Sequence, residues 1–368
     1  MMLRAFLVDD EPPARARLRQ LLAEAGDVLV VGEAGDATEA FTAIADARPD
    51  VIFLDIDMPE RSGTALAAAL PLPRPYIVFA TAYDRYALDA FAVDATDYLL
   101  KPITRQRLSG TLQRVRERMS NKSELERELV VASAVQARLL PRVLPTIDGY
   151  SSAAITIPAR GVGGDFYLAQ PIARHRIGFA LGDVSGKGLS AGLVASSLQA
   201  RLETMASRSA SSRPADIVRD VNVALFAATD TARYATLVYL DLDAHRNTLE
   251  IVNAGHLPVI AVDRDKQRRL FPSTGPAIGL IPDARFDSIS AELAPGAVVV
   301  AYSDGVTEAL NDEDEEYGEA RLAHEIADGR GLSATDLCQR LIDSVDVHRH
   351  TRLANDDITV LVIKRELQ

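Results

Sequence analysis

Four short stretches carry carboxylates beside residues that would let chemistry happen around them. The run Leu181-Gly182-Asp183-Val184-Ser185-Gly186-Lys187-Gly188 follows an apolar segment, Ile177 to Leu181, and precedes a small-residue segment, Ser190 to Leu202. A carboxylate at a strand end, beside glycines that allow close backbone approach, suits a hard cation. Similar carboxylates stand in Gly163-Gly164-Asp165-Phe166-Tyr167, Tyr302-Ser303-Asp304-Gly305 and Asn355-Asp356-Asp357-Ile358-Thr359. Scattered carboxylates that converge point to a two-metal hydrolytic site. A second set lies in the first hundred and twenty residues, where Asp9, Asp10, Asp55, Thr81 and Lys101 each follow an apolar run. Three carboxylates in one crevice can hold Mg²⁺, and the ion with a lysine can neutralise an incoming phosphoryl group. Asp55 would then be the nucleophile that becomes an aspartyl phosphate. The plainer alternative is that these Asp residues only cap helices, and five role-matched residues at successive strand ends weigh against it.

The elements that must position these groups are readable from pattern. Leu3 to Val8, Val28 to Glu33, Val51 to Leu54, Tyr76 to Ala80 and Tyr98 to Leu99 read as strands, and Pro13 to Glu24 and Ala37 to Ala47 as helices. That alternation predicts a doubly wound parallel five-stranded sheet, an α/β fold whose ligands bind beyond the carboxyl ends of the strands. From Thr104 to Leu140 the pattern is helical, with Leu108, Leu112, Val115 and Met119 as an apolar seam. Ser120-Asn121-Lys122-Ser123 interrupts the seam, which resumes at Leu125, Leu129, Ala132, Val135 or Gln136, and Leu139. One reading is an amphipathic helix lying on either domain; the other is a parallel coiled coil, with a stutter at 120–123, that makes a homodimer. The stretch Pro141 to Pro145 ends the helix. Beyond Gly149, strands are expected at 153–157, 176–181, 234–241, 248–253, 259–262, 297–302 and 359–363. Helices are expected at 190–207, 214–227, 319–328 and 334–345, which together indicate an α+β sandwich. The expected domains are residues 1–119, a helical linker over 120–147, and 148–368.

Composition narrows the function classes. A chain of 368 residues is long for one core. A net charge of −12 argues against bulk binding to nucleic acid or an anionic membrane. A lone Cys338 excludes an internal disulfide framework and a cysteine metal cluster, and suits a reducing, cytoplasmic setting. No apolar run approaches the length of a bilayer span, and Asp9, Asp10 and Glu11 break the N-terminal apolar run too early for a signal peptide.

The N-terminal motifs Leu7-Val8-Asp9-Asp10-Glu11-Pro12, Phe53-Leu54-Asp55-Ile56-Asp57-Met58-Pro59, Ala80-Thr81-Ala82 and Asp97-Tyr98-Leu99-Leu100-Lys101-Pro102 resemble a two-component receiver domain. The resemblance implies phosphorylation of Asp55 by a sensor histidine kinase. It also implies Mg²⁺ held by Asp9, Asp10, Asp55 and the Asp57 carbonyl, a Thr81–Tyr98 switch pair, a phosphate contact from Lys101, and a cis peptide before Pro102. The details Thr81, Tyr83, Asp84, Ala87 and Phe91 look most like receivers joined to LytTR DNA-binding domains, which do not follow here.

Residues 130–365 resemble the SpoIIE/RsbU branch of metal-dependent PPM (PP2C-like) serine/threonine phosphatases. The likeness rests on Ala134 to Pro141, Pro158 to Tyr167, Gly182 to Gly188, Asn253-Ala254-Gly255-His256, Ser303 to Glu308 and Asp356 to Thr359, all in family order. It implies an αββα sandwich in which Asp183 and the Val184 carbonyl bridge two Mn²⁺ or Mg²⁺ ions. Asp304 and Asp356 would hold one ion, and Asp165 would serve the other, partly through water. Asp357 and Arg160 are further candidates, the latter as a phosphate-gripping arginine. His256 is a candidate proton donor or, more in keeping with its turn, a structural residue, and Asp312 to Glu316 reads as a solvated acidic loop. One departure is Leu168, where the family usually carries Asp. The Gly163-Gly164-Asp165-Phe166 run mimics the signature of diguanylate cyclases but lacks its Glu. The resemblance implies a response regulator whose output is a phosphatase, acting on a phosphorylated STAS-type anti-anti-sigma protein. The competing readings are a non-catalytic, phosphorylation-dependent binding module and a DNA-binding regulator.

Overall fold

The computed structural model describes residues 2–59, 61–82, 95–141, 143–208, 212–229 and 233–367. Tyr83, Asp84, Ala87 and Phe91 therefore lie outside the described residues. The chain divides into two units, Met1–Glu126 and Arg127–Gln368.

In the first unit, β1 (Leu3–Val8), β2 (Val28–Ala34), β3 (Val51–Leu54), β4 (Tyr76–Thr81) and β5 (Asp97–Leu100) pair in parallel in the order β2-β1-β3-β4-β5. Strand parity explains the two cores. Phe6, Val8, Ile52, Leu54, Ile77 and Phe79 face the helices α2 (Ala37–Ala47) and α3 (Gly63–Ala69). Ala5, Leu7, Val51, Phe53, Val78 and Leu99 face α1 (Pro12–Ala25) and the first turns of α4 (Arg105–Leu139). A sheet covered on both faces needs no polar alternation, which is why β3 is apolar at every position. Pro12 starts α1, and the Asp36 carboxylate caps α2 by accepting from the N–H groups of Thr38 and Glu39 (both 2.8 Å).

The α4 helix is 35 residues long and continuous through Ser120–Ser123, so the interruption belongs to its seam and not to its backbone. Leu108, Leu112 and Val115 are buried in the first unit. Farther along, Leu125, Val135 and Leu139 are about half exposed, at 54%, 56% and 50%.

The second unit holds two antiparallel sheets. One runs β13 (Ile289–Glu292), β10 (Thr248–Ala254), β9 (Ala235–Asp243), β8 (Arg176–Val184), β7 (Asp165–Ala173). The other runs β12 (Arg268–Phe271), β11 (Val259–Val262), β14 (Val298–Tyr302), β15 (Ile358–Arg365), β6 (Tyr150–Ile157). Ile177, Phe179, Leu181, Val238 and Leu240 of the first sheet share one core with Val299, Ala301, Leu361 and Ile363 of the second. The opposite parity of the first sheet packs on α5 (Leu189–Arg208) and α6 (Pro214–Ala228). The opposite parity of the second packs on α8 (Glu319–Gly329) and α9 (Ala334–Arg349). The layers are thus αββα, as expected, with a four-residue helix α7 (Asp304–Thr307) following β14.

Candidate functional sites

In the first unit the end of β1 delivers Asp9, the end of β3 delivers Asp55, and β4 ends on Thr81. One oxygen each from Asp9, Asp10 and Asp55 lies within 4.8 Å of the others, the one such acidic trio among the described residues. Lys101 follows β5 and its Nζ bridges two of them, 2.7 Å from Asp9 Oδ2 and 2.6 Å from Asp55 Oδ2. Burial raises the Asp9 pKa, and the hydrogen bond from Lys101 opposes that rise. The Asp57 N–H donates to Asp55 Oδ1 at 3.2 Å, which fixes the direction of the Asp55 carboxylate. Thr81 is fully buried and its hydroxyl has no partner among the described residues. Tyr98 lies on β5, where it pairs with Phe79 of β4. The Lys101–Pro102 peptide is cis, as the receiver likeness implies.

In the second unit the antiparallel register sets Asp165 of β7 opposite Asp183 of β8. Both have the parity that faces the other sheet. There β14 ends at Tyr302 and leads into Ser303 and Asp304, while Asp356 and Asp357 lead into β15. Four chain segments therefore meet at one edge of the sandwich. Their carboxylates interact: burial, then Asp304, Asp356 and Asp357, push the Asp183 pKa up to about 7. Burial and Asp183 push Asp165 well above the usual carboxylate range. Asp304 is raised by burial and by Asp356, and Glu308 by burial and by Asp304. The cation among these acids is Lys187, whose Nζ lies 2.8 Å from Asp356 Oδ2 and 2.7 Å from the Asn355 carbonyl oxygen.

Hydrogen bonds sort the pairs. Asp357 is committed to the backbone: its Oδ1 accepts from the Ala159 N–H (2.8 Å), and its Oδ2 from the N–H groups of Gly164 (2.7 Å) and Asp165 (3.3 Å). It shapes the loop that presents Asp165. The Thr359 hydroxyl donates to Asp165 Oδ2 at 2.6 Å, so the proton of the 2.7 Å Thr156–Thr359 contact must come from Thr156. Two glycines are needed for the approach. A Cβ on Gly164 would stand 2.8 Å from the Val184 carbonyl oxygen, and one on Gly305 would stand 2.2 Å from the Asp357 carbonyl oxygen. Arg160 is exposed on the turn before that loop.

His256 is buried, and burial lowers its pKa to about 4, so it is neutral. Its Nε2 faces the Tyr302 carbonyl oxygen at 3.0 Å, an acceptor, so Nε2 carries the proton and Nδ1 accepts from the Thr236 hydroxyl at 2.6 Å. The residue ties the end of β14 to β9. The segment 312–316 is exposed throughout, as a solvated acidic loop should be, with surface pairs from Asp312 to His350 Nδ1 at 3.0 Å and from Asp314 to Arg352 Nη1 at 2.7 Å.

Lys187, Glu308, Thr359 and Gln136 stand in the quoted stretches, but sequence reasoning gave none of them a role at the site. Thr359 had a signal, a hydroxyl at inward parity in an otherwise apolar strand. Gln136 stood in the Ala134 to Pro141 stretch and was weighed only as a seam position, because nothing local pairs it with Gly163, 27 residues away.

The chain matches the family model described as Stage II sporulation protein E (SpoIIE) over residues 173–366, and the response regulator receiver domain model over residues 5–113. It is 51% identical over 120 residues to the transcriptional regulatory protein BtsR of Escherichia coli, covering 32% of this chain and 50% of that protein. It is 41% identical over 186 residues to an uncharacterized response regulatory protein of Vibrio cholerae, covering 50% of this chain and 68% of that one. The chain thus spans about half the length of the first curated relatives it matches. Among solved structures, the SiaA-PP2C domain of Pseudomonas aeruginosa superposes with a TM-score of 0.60 at 20% identity, over 66% of this chain and 98% of that one. The PP2C phosphatase domain with a fragment of the regulatory domain of SpoIIE from Bacillus subtilis gives 0.51 at 20% identity, over 60% and 64%. At these identities the structures show a shared fold.

Proposed function

Since the chain belongs to the SpoIIE family and carries a response regulator receiver domain, we propose that phosphorylation of Asp55 controls a metal-dependent phosphoserine/phosphothreonine protein phosphatase in the same chain. The observation that carries this reading is the charge coupling among Asp165, Asp183, Asp304 and Asp356 at one edge of the sandwich, with Asp183 pushed up to about 7 by burial and like charge; no three of these carboxylates lie within 4.8 Å of one another, as those of Asp9, Asp10 and Asp55 do. Such an all-oxygen cluster fits hard divalent cations, Mn²⁺ or Mg²⁺. In our assignment Asp183 and the Val184 carbonyl serve both ions, Asp304 and Asp356 one, and Asp165 the other. Bound there, the ions would supply Lewis acidity toward a phosphate ester and lower the pKa of the attacking water. The chain's own groups do the positioning. Asp357 holds the Gly163–Asp165 loop, Thr359 orients the Asp165 carboxylate, and His256 anchors the carbonyl before Ser303. Arg160, exposed on the turn before that loop, would be the residue that grips a substrate phosphate.

At the receiver, Asp55 would take a phosphoryl group from a sensor histidine kinase. Mg²⁺ would be held by Asp9, Asp10, Asp55 and the Asp57 carbonyl, with Lys101 as the phosphate contact and Thr81 and Tyr98 as the switch. The Thr81 hydroxyl, without a partner among the described residues, supports that role as a donor to an incoming phosphoryl oxygen. The substrate we propose is a phosphorylated STAS-type anti-anti-sigma protein, and the half-exposed apolar seam of residues 120–147 supports a homodimer.

The test is Mn²⁺-dependent hydrolysis of a phosphoserine peptide and of a phosphorylated STAS protein, with and without beryllofluoride at Asp55. Hydrolysis that changes with beryllofluoride supports the whole reading. Hydrolysis indifferent to it removes the control by Asp55. No hydrolysis of either substrate refutes the phosphatase and favours a binding module.

A further inference from the structure

Gln136 lies three residues before the end of α4, and both atoms of its amide engage one residue of the Asp165 loop. Its Nε2 donates to the Gly163 carbonyl at 2.7 Å, and its Oε1 accepts from the Gly163 N–H at 3.0 Å. A carboxamide can donate and accept side by side, so it reproduces a rung of backbone pairing. The surroundings are shaped for it. Gly192, on the helix that follows the Asp183 loop, leaves room: a Cβ there would stand 3.2 Å from Gln136 Nε2 and 2.3 Å from Val162 Cγ1. The end of α4 is also fixed by Gln199 Nε2, which donates to the Leu139 carbonyl at 2.7 Å.

The loop is therefore held from two sides that differ in origin. Asp357, next to β15, grips Gly164 and Asp165 from within the sandwich. Gln136 grips Gly163 from a helix whose opposite end carries Leu108, Leu112 and Val115 in the core of the first unit. A helix transmits displacement along its axis, and sliding by one residue, about 1.5 Å, exceeds what a hydrogen bond of this length tolerates. Asp165 is two residues beyond Gly163, so the clamp bears on the carboxylate opposite Asp183.

We propose that Gln136 is a positioning residue through which the linker helix sets the Gly163–Asp165 loop, and that the state of Asp55 makes or breaks its two hydrogen bonds. The consequence for catalysis rests on the phosphatase reading above; the clamp and its response to Asp55 do not.

The experiment is amide hydrogen exchange of the segment 158–168 in the full chain, with Mg²⁺ present throughout, with and without beryllofluoride. It compares the wild type, Gln136→Ala and Gln136→Glu. Losing two hydrogen bonds should speed exchange at Gly163 and Gly164 on the order of tenfold in Gln136→Ala. Gln136→Glu keeps the size and the acceptor but loses the donor, and should fall between. Beryllofluoride should change loop exchange severalfold in the wild type and leave Gln136→Ala unchanged, a difference that a merely structural contact would not produce. Unaltered exchange in Gln136→Ala, a wild-type loop indifferent to beryllofluoride, or a full response retained in Gln136→Ala would each overturn the proposal. Phosphopeptide hydrolysis, measured in parallel, separates the two claims. A loop that responds in a chain without hydrolysis sinks the phosphatase reading alone, and hydrolysis with an unresponsive loop sinks the clamp alone.

Discussion

Replacing Asp183 by Asn should make the metal-free protein more stable while removing the metal-dependent hydrolysis proposed above. The Asp183 pKa is pushed from 3.8 to about 7, by burial first and by Asp304, Asp356 and Asp357 next. The folded state therefore holds the Asp183 proton more tightly than the unfolded chain does. Between about pH 4 and pH 7 the folded state binds more protons, so stability falls as pH rises through that window and the full penalty stands above it. About three pH units at 1.36 kcal/mol each give ~4 kcal/mol. Partial exposure and relaxation bring the expected gain in Asp183→Asn to about 2–4 kcal/mol above pH 7. For a unit of this size that is a rise of roughly 5–15 °C in melting temperature. Asn keeps the shape, and the Asp183 carboxylate accepts no hydrogen bond among the described residues that the change would forfeit. The assay is thermal and urea unfolding of the full chain in EDTA at pH 5 and pH 8, following the transition of the second unit, then with Mn²⁺. The variant should exceed the wild type at pH 8, approach it at pH 5, gain nothing from Mn²⁺ and hydrolyse nothing. A variant no more stable than the wild type at pH 8, or one that still hydrolyses phosphopeptide with Mn²⁺, would refute the reasoning.

Other perturbations test other parts. Asp357→Ala strips the acceptor from three backbone N–H groups and should cost about 3–5 kcal/mol in urea unfolding; a loss under ~1 kcal/mol would mean the loop finds other partners. Because burial lowers the His256 pKa to about 4, the unfolded chain takes up a proton between about pH 6.5 and 4 that the folded chain refuses. Stability should fall by roughly 2–3 kcal/mol across that window, and His256→Asn should flatten this part of the pH profile; an unchanged slope would show that His256 is not the source. Lys101→Met removes the ammonium shared by Asp9 and Asp55 and should abolish the response of hydrolysis to beryllofluoride; a preserved response would remove Lys101 from the phosphate site.

Much of the fold was legible because parity is a local property. In β8, β9, β14 and β15 the residues are buried toward one core or the other except at or near the strand ends (Arg176, Asp183, Thr236, Asp243 and Arg365), so each reads as an apolar run. The strands that pattern reading passed over, β7, β12 and β13, all stand at sheet edges. An edge tolerates what a central strand does not. In β7 the register shifts at Pro171, which breaks the alternation, and β12 reads Arg-Arg-Leu-Phe with three exposed positions. At the sites, residues that act through their own type in a short motif, such as Asp183 beside its glycines, were visible. Those that act through a distant partner were not. Thr359 reaches Asp165 across 194 positions, and nothing near Gln136 marks Gly163 as its partner.

The two acidic sites handle charge in opposite ways, and this shapes how each would respond. At the receiver, Lys101 sits between Asp9 and Asp55 within 2.7 Å of both, so the crevice supplies part of its own countercharge. A phosphoryl group on Asp55 would bring about two negative charges to a place already provided with a lysine and a buried threonine hydroxyl that has no partner among the described residues. That site is prepared for an arriving anion. At the sandwich edge, Asp165, Asp183, Asp304 and Glu308 all have raised pKa values, burial being the first cause and neighbouring carboxylates the next. Lys187 pairs with Asp356 at the rim, where its side chain is 43% exposed, and does not reach between the others. That site is left short of positive charge and is prepared for arriving cations. Arrival of the ions would relieve repulsion among carboxylates drawn from four separate segments, so metal binding must tighten the loops that carry them. Among the described residues, Gly163–Asp165 is the loop that a linker-helix side chain also holds, so under the proposals above it is where a change at Asp55 would act on metal affinity.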